Sequence, residues 1–234
     1  MRDEEEFGWG NWRLRPDEMW QLTEAEDWHG RFHEQENKRP NLPKLYEDTI
    51  DLLAEVPVKT TENAKSKVYK FLRVWGTMRW IDKSECNQML ERLNEWVDLL
   101  KVLRRESRID ADLSKEVSYD QYVRPVGRWM QFLVDRISRT SQSKQIVAST
   151  KLLHAAIPNL FVMFDRKMSL RFFGKDPSLA IYCGLFLPLA QAEMRLLCEH
   201  GLHPDPKEVC GRRGECWPKL IDEINWTWAN AEGF

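Results

Sequence analysis

Residues 144–174 read KQIVASTKLLHAAIPNLFVMFDRKMSLRFFG. Apolar and small residues dominate the first half without any period-two alternation, which predicts a buried helix over about residues 143–157. Pro158-Asn159 then breaks the helix, because proline lacks the amide hydrogen and restricts the residue before it. A short apolar run follows, Leu160 to Phe164. Asp165 is a preferred helix N-cap and Gly174 a preferred helix stop, so a second helix is marked at both ends.

Working outward, the same signs recur and the strand signs do not. Asp17–Glu36 is rich in helix formers behind Pro16, and Asn37–Pro43 reads as a loop. Leu45–Leu53 is a short helix ahead of Pro57. Thr60 or Thr61 caps another, in which Val68, Phe71, Leu72, Trp75 and Met78 recur at helical spacing. Ser84 opens a third with a stripe from Cys86 to Leu103, and the two predict a helical hairpin turning near Asp82. Tyr119–Thr140 forms a further helix. Beyond Gly174, Asp176 as cap and Pro177 at the first position start a helix running to about His200, apolar nearly all round from Leu179 to Ala190 and bent at Pro188. Residues 202–216 form a loop, and Trp217–Ala231 a last amphipathic helix. No hairpin dipeptide lies between apolar runs and no repeat is present. The expectation is an all-α protein, with a tryptophan-rich acidic N-terminal extension over residues 1–40 carrying one helix and an all-α domain over 41–234.

Composition narrows the class. Apolar residues at 42% and charged residues at 31% describe a globular chain, neither disordered nor membrane-embedded. The longest apolar run, Leu179–Leu189, is too short to span a bilayer. The start, MRDEEEFGWGNW, lacks a basic-then-apolar leader, and five cysteines are an odd set for a paired secreted framework. These features predict an intracellular, cytoplasmic protein with no membrane partner.

The net charge of −2 conceals an uneven distribution. Between Arg124 and Lys175 ten basic residues face two acidic ones, whereas residues 1–123 and 176–234 are both net acidic. A basic middle between acidic ends suits a polyanion, with Lys144, Lys151, Arg166, Lys167, Arg171 and Lys175 as candidate nucleic-acid-binding residues. His154, three residues after Lys151 on an apolar helix, reads as a hydrogen-bonded core histidine. His29 and His33, four apart, read as part of a solvated helix face.

The pattern KLLHAAIPNLFVMFDRKMSLRFFG over 151–174 resembles a segment of uncharacterised helical proteins and, more remotely, the helix-hairpin-helix DNA glycosylase superfamily. That resemblance implies a compact multi-helix orthogonal bundle and a base-excision activity acting on DNA rather than RNA. It also implies Asp165 as the catalytic carboxylate and Lys151, or alternatively Lys144, as the catalytic lysine. Such chemistry extrudes a base and stabilises the positive charge that develops on the sugar as the glycosidic bond breaks. A carboxylate at a helix start beside phosphate-holding cations meets the second requirement.

Three further features carry alternatives. Arg195-x4-His200 looks like the motif of HEPN-type ribonucleases, in which arginine and histidine assist attack by a 2′-hydroxyl. Cys198, His203, Cys210 and Cys216 are spaced C-x4-H-x6-C-x5-C, a set suited to zinc, and the final spacing is similar to that of the iron–sulfur loop of many glycosylases. Against it stand free thiols or a Cys210–Cys216 disulfide, and the expectation is no cofactor. Eleven tryptophans and acidic ends also suit a helical protein-interaction module without catalysis.

Overall fold

The structure, a computed structural model, describes residues 41–54, 61–75, 82–95, 142–158, 161–199 and 217–231, with isolated positions between 27 and 38 and at 57, 127, 130 and 131. Helices make up most of it, and no strand occurs among the described residues. The all-α expectation is met there. The N-terminal arm, His29 and His33, the Tyr119–Thr140 helix apart from three positions, and the 202–216 loop lie outside the described residues.

Helix α1, Asn41–Ala54, starts earlier than the sequence suggests and includes Pro43, which had read as loop. The reason is local: first-turn amides have no intrahelical acceptor, so proline there forfeits nothing. Helix α2, Glu62–Trp75, is capped as expected, Thr61 Oγ1 accepting from Ala64 N at 3.3 Å. Its Val68, Phe71 and Leu72 are fully buried. Helix α3, Lys83–Glu95, is capped by Asp82 and not by Ser84. Asp82 Oδ1 accepts from Glu85 N at 2.7 Å, and Glu85 Oε2 accepts from Asp82 N at 3.1 Å. This reciprocal pair satisfies two donors at once, which a serine cap at 84 would leave open. Helix α2 packs on both α1 and α3.

Helix α4, Gln142–Ala156, is the predicted buried helix, and every residue from Ile146 to Ile157 is at most 8% exposed. It rests against α1 and α2. Past Pro158 the chain runs extended through Phe161–Phe164, all four buried, into helix α5, Arg166–Phe173. Thr150 Oγ1, donating to Val147 O at 3.0 Å, also accepts from Phe164 N at 3.3 Å. That contact pins the extended run against α4, so the end of the run and the start of α5 are set by the core.

Helix α6, Leu179–Ile181, is capped by Ser178, whose Oγ accepts from Ile181 N at 3.2 Å. Asp176, the expected cap, instead pairs with Arg166 at 2.6 Å. The helix continues through a π-turn, Tyr182–Phe186, into α7, Leu187–Glu199. The irregularity sits just ahead of Pro188, whose missing amide would strand the Gly184 carbonyl in a regular helix. Helix α8, Trp217–Asn230, departs most from expectation. It had read as amphipathic, yet ten of its residues are buried, among them Lys219, Asp222, Glu223 and Asn225. It packs on α5 and α7.

Candidate functional site

Two places collect the residues that the sequence singled out. The first is the surface of α5. Asp165, in extended conformation, accepts from Met168 N through Oδ1 at 2.8 Å and so caps the helix. Its Oδ2 makes no hydrogen bond with a described residue. At the other end Gly174 takes φ 65°, the left-handed region, and donates its amide to Leu170 O at 2.9 Å. Ser169 Oγ donates to Lys175 O at 2.7 Å and fixes the turn that follows. Met168, Ser169 and Phe173 face inward. Positions 166, 167, 170, 171 and 174 therefore share the outer side, since residues three and four apart align on a helix.

That outer side carries Arg166, Lys167 and Leu170, all exposed, with half-buried Arg171 and, past the cap, exposed Lys175. Arg166 and Asp176 pair in the open, with side chains 66% and 57% exposed, so the pair adds little stability. Lys167 and Lys175 make no ion pair with a described residue. The Arg171 guanidinium lies 4.3 Å from the centre of the Trp228 ring, and Phe172 stacks on the same tryptophan at 4.8 Å and 22°. Both rings are half-buried.

The second place lies inside. Lys151, expected among the surface cations, is 4% exposed. It sits on α4 beside His154 and acts electrostatically on His154 and on Asp222. It is thus an interior charge, placed there because its stretch of α4 is buried all round. His154, fully buried, is the core histidine foreseen: Nδ1 donates to Phe161 O at 2.6 Å, which leaves Nε2 to accept from the Tyr46 hydroxyl at 2.7 Å. Burial, aided by the charges of Lys219 and Lys151, lowers its pKa from 6.5 to about 3 against the bond to Phe161, so the ring is neutral.

Around it stands a cluster from α8. Lys219 Nζ lies 2.9 Å from Glu223 Oε1 and 3.3 Å from Asp222 Oδ2, and 5.0 and 5.3 Å from the ring centres of Phe32 and Tyr46. Desolvation pushes the Asp222 carboxyl up to about 6; Lys219 and Lys151 oppose this and Glu223 adds to it. One turn on, Asn225 Nδ2 donates to Glu193 Oε2 of α7 at 2.7 Å. Buried charges are costly unless paired and hydrogen-bonded; the ion pairs of Lys219 lie within α8, the Tyr46–His154 bond joins α1 to α4, and the Asn225–Glu193 bond ties α8 to α7. None of Tyr46, Glu193, Lys219, Asp222, Glu223 and Asn225 was a sequence candidate. At helical spacing Trp217, Leu220, Ile221, Ile224 and Trp228 fall on one side of the helix and Lys219, Asp222, Glu223 and Asn230 on the other, which reads as an ordinary solvated polar face; only Trp226, set among the charges, departs from that pattern.

The remaining candidates are scattered. Arg195 is half-buried on α7, while His200, His203, Cys210, Cys216 and the side chains of Lys144 and Cys198 lie outside the described residues. Among the described residues no group of three His, Cys, Asp or Glu side chains is arranged to hold a metal ion, and no helix is long and apolar enough to cross a membrane. No family model, no curated protein and no solved structure matches this chain.

Proposed function

We propose that the chain binds nucleic acid through the outer face of α5, with phosphates held by Arg166, Lys167, Arg171 and Lys175. The observation that supports this is the gathering of these four cations around one short, doubly capped helix whose inner side is fixed in the core. Cations on a rigid element meet a phosphate backbone without the entropic cost of ordering a loop. DNA is the favoured partner. The Asp165 carboxylate adjoins this surface with one oxygen not hydrogen-bonded to any described residue, and base excision is the chemistry it would serve. Lys151, buried with Asp222 and His154, is left out of the phosphate-binding set; a role as catalytic lysine would require the α4–α8 cluster to open.

The test is fluorescence anisotropy with duplex DNA, single-stranded DNA and RNA over a salt series, with the same samples analysed for cleaved product on uracil-containing and oxidised duplexes. The expected result is affinity that falls steeply with salt, and a slope reduced by roughly two on duplex in the Lys167→Gln/Lys175→Gln variant. Asparagine caps a helix about as well as aspartate, so Asp165→Asn separates chemistry from folding. Product lost in that variant with binding retained supports excision. Absence of binding at low salt removes the proposal and favours a protein-interaction module.

A further inference from the structure

The ion cluster of α8 is covered by a segment that lies ahead of α1 in the chain. Lys219, Asp222, Glu223 and Trp226 share one side of α8, the side whose polar residues would ordinarily meet solvent. Phe32 lies on that side. Its ring meets the Trp226 ring edge-on at 6.0 Å, and its ring centre is 5.0 Å from Lys219 Nζ. Positions 27, 28, 30, 31, 32 and 34 are helical. Asp27, Gly30, Arg31 and Glu34 are exposed, whereas Trp28 is half-buried and Phe32 buried. Residues four apart share a side of a helix, so Trp28 and Phe32 face inward from a layer whose other side meets water.

The hold of this layer is narrow. Trp28 brings its indole Nε1 out of water without a hydrogen bond to a described residue, which offsets part of what the two rings gain by burial. The Arg31 guanidinium lies 4.5 Å from the centre of the Trp28 ring, on the same segment, and so adds no tie to α8. An element held by one row of side chains opens ahead of the core. We propose that the turns carrying Trp28 and Phe32 are a strap that seals the Lys219–Asp222–Glu223 cluster and lifts from α8 while the rest of the fold stays closed. Lifting it admits water or a reactant to charges that are otherwise shut inside, and no group of this cluster can act on a ligand without such an opening.

The experiment applies a short pulse of sulfosuccinimidyl acetate to the full chain under native conditions, and N-ethylmaleimide to a parallel sample, with Lys219, Lys167, Lys175 and Cys86 read by peptide mass spectrometry. Wild type, Phe32→Ala, Phe32→Leu and Glu34→Ala are compared. In wild type, Lys219 is expected to react far more slowly than exposed Lys167 and Lys175. Phe32→Ala speeds Lys219 by roughly ten- to a hundredfold, the worth of one buried phenylalanine. Phe32→Leu, which keeps an apolar plug, speeds it much less, and Glu34→Ala, on the outer side, leaves it unchanged. Cys86, buried on α3, stays unreactive throughout. Lys219 as reactive as Lys167 in wild type, or unmoved by Phe32→Ala, overturns the strap. Cys86 reacting in step with Lys219 overturns it too, because the fold then opens as one unit.

Discussion

Replacing Asp222 by asparagine is expected to change how stability depends on pH, in a direction set by the cluster inside the fold. Two fully buried groups oppose each other there. Asp222 has its pKa raised from 3.8 to about 6, so the fold favours its neutral form. Its charge therefore costs stability at neutral pH, and that cost is relieved as pH falls through 6 towards 3.8. At about 1.36 kcal/mol per pH unit the full relief is roughly 3 kcal/mol, of which about 2 falls between pH 7 and pH 4. His154 has the opposite sign. Its pKa falls from 6.5 to about 3 in the fold, so the unfolded chain takes up a proton first and stability is lost as pH falls through 6.5 towards 3. Over the same interval that loss is about 3 kcal/mol. In the wild type the two nearly cancel. In Asp222→Asn the histidine acts alone, and the variant should lose about 2 kcal/mol relative to wild type between pH 7 and pH 4. Urea unfolding followed by far-ultraviolet circular dichroism, at half-unit pH steps, measures this directly. Carboxylates remote from the cluster are unaffected by the substitution and drop out of the difference. A wild-type-minus-variant difference that stays constant across the interval would refute the reasoning, because it would mean that Asp222 does not exchange a proton as the fold forms.

Three further outcomes follow from single contacts. Gly174→Ala places a Cβ at φ 65° with open space around it, so the cost is backbone strain alone, about 1 kcal/mol of stability by the same urea assay. Tyr46→Phe removes the hydroxyl that donates to His154 Nε2 and leaves a buried acceptor, for a loss of about 1 to 3 kcal/mol, and His154→Phe in that background should lose much less than it does alone. Lys219→Met leaves Asp222 and Glu223 facing each other in the interior and should destabilise by about 3 to 5 kcal/mol at pH 7 and by less at pH 5, where Asp222 takes up a proton; equal losses at both pH values would count against the pairing.

The parts of the fold that the sequence revealed are those governed by chemistry within a few residues. Asp165 and Gly174 bound α5 because a cap hydrogen bond and a left-handed residue are local requirements, and they held. The break at Pro158 and the core role of His154 were readable for the same reason. Where two capping residues stood close together, the choice depended on partners elsewhere: Asp176 is drawn off by Arg166, which leaves Ser178 to cap α6, and Asp82 outcompetes Ser84 because Glu85 returns the bond. The interior cluster was not legible. Tyr46 and His154 meet across 108 residues, and charged side chains count as outside in any one-dimensional reading. The same habit put Lys151 on the surface with Arg166 and Lys167, although its helix has no exposed side there. Only Trp226, set among Lys219, Asp222 and Glu223 on the polar side of the helix, hinted otherwise.

The π-turn at Tyr182–Phe186 has a consequence for how this chain tolerates length change. A π-turn holds one residue more than the α-turn it replaces, and each residue of a helix swings the next by about 100°. Everything from Leu187 onward is therefore rotated relative to α6, and that rotation decides which side of α7 meets α8. Deleting Gly184 would let an ordinary helix close up with one carbonyl left open opposite Pro188, and it would turn Glu193 away from Asn225 and bring a different row of side chains against the last helix. The extra residue works as a phase setting between two rods: chain may be gained or lost beyond their outer ends, but not between the turn and Glu193 or within the turn, without re-indexing the interface.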